Sequence, residues 1–533
     1  MRLVLIISVL LTNFSILSEC LADYREDAFL PLAGWSHSPQ TSNDSSLGHG
    51  VFLSGNQVIH SSPVIAEISG SSEDGKEVAA ASADGNLYVY NSNGTERWSV
   101  QVTTCGSNGN RIASSPAVGE LYGDGVPYVV IGYGGVGQGS CDGGVAAYRG
   151  DDGQLEWQFS LRDWASRQGY KENLASVWGT PALADADGDG QLEIAFGGFD
   201  RNIYLLDAGG KVLKYIIAAD TVWSSAAFAD VEGDSKLEFV IATDISRNRV
   251  IRPPTPNGGY VYAFDVKAAR SKRVDFRTGQ IWLRAVNQTP FSAPVVGDVI
   301  PNVEGPEIII ASGYYFNPRK KGKWVKVISG RNGKVLKTLK APSASATSLA
   351  IGDINGDGVL DIVGTFSGSR NYGGDGDGRV VAWSPAISKQ PLWTVKPRER
   401  SQTSTFGFQS SAALADLDGN GSIEVVVENG QSVVVLEGRD GKILTCEDKV
   451  CSDGRKSMYV WGGVSSTVAI GDLDGDGKPE IVSAGSHRAR KKKGALFTFT
   501  DFTDLGSQPG SQAPYSLVWP MYRGNAHRSG SNH

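Results

Sequence analysis

The chain has 533 residues, with 50 Lys and Arg against 57 Asp and Glu, for a formal charge of −7. That balance excludes a broadly basic, nucleic-acid-binding surface. Six scattered histidines and five cysteines, none in a Cys-x-x-Cys spacing, exclude histidine-cluster and thiolate zinc centres.

Met1-Arg2 is followed by the apolar run LVLIISVLL and then by Cys20-Leu21-Ala22. This is the pattern of a cleaved secretory signal over residues 1–22, and it places the mature chain outside the cell or in the periplasm. The run is short and interrupted by Asn13, which argues against a membrane anchor. Glu19 stands where a lipoprotein would need a small residue. No later stretch is apolar for long enough to span a bilayer. Residues 23–50 read as an N-terminal extension. Four cysteines remain, Cys105, Cys141, Cys446 and Cys451, and an even number in an exported chain predicts two disulfides.

From residue 51 to residue 530 one unit recurs. In its second copy SSPAVG is a strand, ELYGDGVP a turn, YVVIGYG and GGVAAYRG two strands, DDG a tight turn and QLEWQFSL a fourth strand. Such short runs of β-branched and aromatic residues, bounded by Gly and Asp, are strand and hairpin signals. The copies align on loops starting at Glu67, Glu120, Asp185, Asp230, Asp298, Asp353, Asp416 and Asp472. A lone four-stranded sheet cannot bury both faces. Radial stacking buries them, so the pattern predicts an all-β fold, a single β-propeller of eight four-stranded blades. Seven blades with one degenerate copy is the alternative. Trp98, Trp157, Trp282, Trp393 and Trp519 fall just inside the expected fourth strands, where each would pack between neighbouring blades.

Four first turns are strongly acidic: DADGDGQLE at Asp185, DINGDGVLD at Asp353, DLDGNGSIE at Asp416 and DLDGDGKPE at Asp472. A fifth, DVEGDSKLE at Asp230, has Ser235 in place of the second glycine. Alternating carboxylates on a tight glycine turn supply the several oxygens that a hard cation needs. An EF-hand would need Glu at position twelve, where these loops have Phe196, Gly364, Val427 and Ser483. The loops at Glu67, Glu120 and Asp298 lack most ligands.

The stretches SSPAVGELYGDG and LAIGDINGDGVLDIV closely resemble the FG-GAP, or VCBS, repeat family of integrin alpha-subunit propellers and exported bacterial proteins. The resemblance implies Ca²⁺ held by side chains at loop positions one, three, five and nine, with a carbonyl at seven. The implied ligands are Asp185, Asp187, Asp189, the Gln191 carbonyl and Glu193 in one loop, and Asp353, Asn355, Asp357, Val359 and Asp361 in another. They continue with Asp416, Asp418, Asn420, Ser422 and Glu424, and with Asp472, Asp474, Asp476, Lys478 and Glu480. Asp230, Glu232, Asp234 and Glu238 would form a fifth site. The tail WPMYRGNAHRSG and the AFD…RTGQIW turn are similar to repeats of quinoprotein-type eight-bladed propellers.

All acidic loops are first turns and so share one face. Long second-strand loops and interblade links share the other. There they collect Arg247, Arg249, Arg252, Arg319, Lys320, Lys321, Arg488, Arg490, Lys491, Lys492 and Lys493, together with the four cysteines. This placement favours Cys105–Cys141 and Cys446–Cys451 as pairs. A basic loop face suits an anionic partner, either a glycan or an extracellular protein. Gly132-Tyr-Gly134-Gly-Val-Gly137 mimics a nucleotide loop, but a strand follows it where a helix is required. No catalytic grouping stands out. The expected function is an exported, calcium-binding module for binding or adhesion. A lyase acting on acidic polysaccharide is the alternative, and a quinoprotein-like oxidoreductase a more distant one.

Overall fold

Each repeat opens with a three-residue apolar strand that ends in Ala or Gly, a short and slim element that lets eight such strands converge on one axis. These inner strands are Val64–Ala66, Ala117–Gly119, Ala182–Ala184, Ala227–Ala229, Val295–Gly297, Ala350–Gly352, Ala413–Ala415 and Ala469–Gly471. Each packs against the next, and the eighth packs against the first. Every one belongs to a sheet of its own, so the computed structural model is a closed propeller of eight four-stranded blades, with Val274–Asp275 added in parallel to the third and Leu517–Trp519 paired inside the seventh. It describes residues 51–531 except 57, 59, 72–74, 106–110, 136–140, 170–173, 246–256, 267–273, 276–279, 398–409, 449–451, 461–465, 487–492, 504, 508 and 511–514; before Val51 it describes Leu32 and Trp35.

The second blade is representative. Ala117–Gly119, Tyr128–Tyr133, Gly144–Arg149 and Leu155–Ser160 pair in order, and burial falls from complete on the inner strands to partial on the fourth. A short helix, Leu161–Arg167, follows it and is capped by Ser160 Oγ accepting from Asp163 N. Val51–Asn56 supplies the outer strand of the eighth blade by pairing with Lys493–Phe499, so the N-terminal strand closes the ring. Trp35, ahead of that strand, is fully buried and donates Nε1–H to Ser92 O.

Two repeated contacts tie blade to blade. In six blades the residue two before the inner strand donates its N–H to the hydroxyl at the same position in the next blade. This links Ser62 to Ser115, Ser115 to Thr180, Thr180 to Ser225, Ala293 to Ser348, Ser411 to Thr467 and Thr467 back to Ser62, at 2.8–3.2 Å. The acceptor is lost where Ala293 replaces Ser or Thr. Further out, Trp98, Trp157 and Trp393 donate indole N–H to Gly150 O, Ala208 O and Gly438 O of the next blade, and Trp282 likewise to Gly330 O. Their rings lie so close over Gly153, Gly210, Gly441 and Gly333 that a Cβ there would sit within 2.8 Å of a ring atom.

Trp519 does not belong to this set. It ends the strand Leu517–Trp519, which pairs with the inner strand of the seventh blade. The WP in the tail is therefore an axial feature. From Ser516 onward the tail runs through the middle of the ring. Asp416, Ile470, Val118, Leu183, Phe228 and Val296 donate N–H to the carbonyls of Ser516, Pro520, Ala526, His527, Ser529 and Gly530. Inner-strand N–H groups that would face an open channel are satisfied in this way. Arg523 and Arg528, both essentially fully buried, complete the plug. Arg528 donates Nε–H to Pro116 O at 3.0 Å and Nη2–H to Pro63 O at 2.8 Å; Arg523 donates Nη2–H to Ala226 O.

Cys105 and Cys141 form a disulfide, as expected. Cys446 is disulfide-bonded as well, and Cys451 lies outside the described residues.

Candidate functional site: acidic loops and an axial funnel

All five acidic loops lie between the first and second strands of their blades, on one face. Position one organises the turn. Asp185 Oδ1 accepts from Gly188 N and Asp189 N, and Oδ2 from Gly190 N; Asp230, Asp353 and Asp416 repeat all three bonds. At Asp472 the bonds from Gly475 N and Gly477 N recur. Wrapping the chain this tightly needs positive φ at positions four and six. Gly188 and Gly190 adopt 78° and 84°, and in the fifth loop Ser235 is held at 64° without glycine's freedom.

Position nine opens the second strand and bonds back across the turn. Glu193 Oε2, Glu424 Oε2 and Glu480 Oε2 accept N–H from Ala186, Leu417 and Leu473, each at 2.8 Å. Glu77 and Glu307, in copies poor in other ligands, do the same for Ile68 and Val299. This glutamate therefore has a turn-closing role that does not depend on a metal.

In three loops the carboxylates converge. Oxygens of Asp185, Asp187 and Glu193, of Asp416, Asp418 and Glu424, and of Asp472, Asp474 and Glu480 lie within 4.8 Å of one another in each group, and each group could hold a metal ion. The Asp353 and Asp230 loops differ in their internal contacts. Asn355 donates Nδ2–H to Asp357 Oδ2, and the Lys236 ammonium pairs with Asp234. At position five, Asp189, Asp357, Asn420 and Asp476 accept N–H from Gln191, Val359, Ser422 and Lys478.

Burial of position nine in a crowd of like charge raises its pKa. Desolvation, reinforced by neighbouring aspartates, lifts Glu193 and Glu480 to about 7 and Glu424 to about 9. Glu424 is fully buried, and its Oε1 has no hydrogen-bond partner. Its loop is also covered. Ser507 donates to Asp418 Oδ2, and Tyr515 N donates to Asp416 Oδ2 at 2.9 Å. The segment leading into the axial plug thus rests on this loop.

The opposite face holds a funnel of about 370 Å³ at the axis. Its wall is built largely from links that precede inner strands. Along one arc the rings of Trp178, Trp223, Phe291, Tyr314 and Tyr372 touch in sequence, with centroids 5.1, 5.3, 4.9 and 4.3 Å apart. His60 adjoins Trp178 at 5.9 Å. His60 is exposed at the funnel, yet desolvation by the wall it lies against lowers its pKa to about 4. The remaining arc carries small and hydroxyl side chains, Ser62, Ala113, Thr347, Ser411 and Thr467, and Tyr522 of the tail lines the funnel as well.

Sequence reasoning missed this funnel, although it left a signal. Two residues ahead of these blade-linking positions stand His60, Ala113, Trp178, Trp223, Phe291, Ala346, Gln409 and Ser465, a column whose aromatics cluster on consecutive blades. Of the basic face, Arg319, Lys320 and Lys321 lie on the short helix Pro318–Lys321, and Lys493 opens a strand. Arg247, Arg249, Arg252, Arg488, Arg490, Lys491 and Lys492 lie outside the described residues.

The family described as outer membrane protein assembly factor BamB matches residues 56–215. No curated protein matches the chain. Among solved structures, the exotype rhamnogalacturonan lyase YesX is similar at 14% identity and TM-score 0.51, over 96% of this chain and 82% of that one. BamB from Moraxella catarrhalis is similar at 14% identity and TM-score 0.44, over 84% and 99%. The Dos1 propeller is similar at 13% identity and TM-score 0.48, over 88% and 97%. At such identities the likeness concerns the fold alone.

Proposed function

We propose that this chain is an exported, calcium-binding propeller of FG-GAP/VCBS type that acts as a non-catalytic binding module for an anionic glycan. The observation that carries the reading is the division of labour between its two faces. Carboxylate groups suited to hard cations gather on one face, and a funnel open to a ligand lies on the other. Extracellular calcium is abundant, so modest affinity at each loop is enough. The disulfide and the signal-like N-terminus fit an oxidising compartment.

The test is binding of the full mature chain, in calcium, to immobilised acidic and neutral glycans over a range of salt. Acidic glycans should bind, with affinity falling as salt screens exposed charge, and with no new chain ends or unsaturated sugars released. Failure to bind any acidic glycan would sink the reading, and product release would replace it with an enzymatic one.

A further inference from the structure

The base of the funnel is cationic, although nothing that lines the funnel is. Arg528 Nη2 lies 3.3 Å from Ser62 O, and its guanidinium stands 5.9 Å from the Tyr522 ring centroid; both residues line the funnel. Arg523 is buried beside it, and its Nη1 has no hydrogen-bond partner. Both guanidiniums are met by backbone carbonyls, and among the described residues neither has a carboxylate partner. Desolvation lowers their pKa to about 10 for Arg523 and about 9 for Arg528, which leaves both charged at neutral pH. Two like charges without a counter-ion create a positive potential that low-dielectric walls focus into the open space above.

The walls narrow the ligand further. Trp178 and Trp223 meet edge to face at 79°, so this arc offers a single flat indole face bordered by the edge of the other ring. On the hydroxyl arc, Ser62 and Thr467, both almost fully buried at the funnel wall, each accept one N–H from the preceding blade and keep an O–H to donate. A ring with apolar C–H faces, hydroxyls at its edge and one negative charge satisfies all three surfaces together. With the tail filling the axis beneath, a polymer can enter only by its end. The volume, about 370 Å³, is at the small end for ligand pockets.

We propose that the funnel binds the terminal ring of an acidic glycan, a hexuronate, stacked on the Trp178 indole with Trp223 at its edge and its carboxylate drawn toward the Arg528–Arg523 base. This rests on the glycan-binding reading above and names its site.

The probes are galacturonate trimers and the same trimers with their carboxyls methyl-esterified. Binding is followed by tryptophan fluorescence and calorimetry on the full mature chain in calcium. The acid should bind at one site per chain, at least about tenfold tighter than the ester. Trp178→Ala should weaken it by about tenfold or more, as loss of an aromatic platform does. Ala346→Trp, which fills the funnel and removes no native contact, should abolish binding while circular dichroism stays native. Equal affinity for acid and ester would overturn the charge argument. Undiminished binding by Ala346→Trp would overturn the funnel as the site and leave glycan binding standing. If no trimer binds while immobilised acidic glycans do, the terminal-ring proposal alone fails.

Discussion

Calcium should stabilise this protein more strongly as pH rises, and the size of the effect follows from position nine of the acidic loops. Glu193 and Glu480 sit in the metal-free fold with pKa near 7, and Glu424 near 9, against an ordinary value of 4.5. Below the unfolded value both states hold the proton and nothing is lost. Between 4.5 and the folded value the native state holds more protons than the unfolded chain, so stability falls as pH rises. For a group moving from 4.5 to about 7, the penalty grows from about 1 kcal/mol at pH 5 to about 3 kcal/mol at pH 8, at ~1.4 kcal/mol per unit. A bound cation replaces the proton and removes the penalty. Calcium at a hundredfold excess over its dissociation constant adds about 2.7 kcal/mol per site by mass action. The assay is urea and thermal unfolding of the mature chain in calcium or in EGTA, at steps from pH 5 to pH 8. The calcium-minus-EGTA difference should widen steadily, and metal analysis should find at least three ions per chain. A difference that is flat or narrows with pH would refute the coupling of these glutamates to a cation. No difference at any pH would refute the sites.

Arg528→Ala should cost at least about 3 kcal/mol, because it strips partners from buried Pro63 and Pro116 carbonyls and leaves a void. Arg528→Met, of similar bulk and without the charge to desolvate, should cost distinctly less; the two denaturation curves check the order. Ser115→Ala should cost about 1–3 kcal/mol, read by urea unfolding, because the buried Ser62 N–H loses its acceptor. Trp157→Phe should cost about 1 kcal/mol for the lost indole bond to Ala208 O and leave calcium stabilisation unchanged.

What was legible in the sequence is what the chain decides locally. The acidic loops close within nine residues through Asx-type bonds and glycine φ values, so their wrapping follows from the motif whether or not a cation is present. Eight copies of one strand pattern gave the blade number. The fourth-strand tryptophans were read correctly wherever a glycine turn of the next blade followed. Trp519 shares their local look, but its neighbours are set by a tail that pairs with strands hundreds of residues away. The funnel was hidden for another reason. In a single copy, Trp223 or Phe291 looks like core. Only closing the ring brings the same position of successive blades edge to edge around one space. The two tail arginines carry no local signal of burial, because only a tail on the axis encloses them.

The plug also explains how the two faces can share one stability. An open ring of eight inner strands would leave N–H groups pointing into a wet channel, and each blade would be held only by its neighbours. The tail bonds to six of the eight inner strands, which couples blades that never touch one another. Its entry passes over the Asp416 loop, where Tyr515 N and the buried Glu424 meet the same cluster of carboxylates. The loop most deeply buried is therefore the one that seats the tail, and the tail in turn forms the base of the funnel through Tyr522 and Arg528. The tail presents N–H and O–H donors to this cluster from Tyr515 and Ser507, which offset part of the repulsion among its carboxylates. One continuous stretch of chain thus joins the acidic loop of the seventh blade to the base of the funnel.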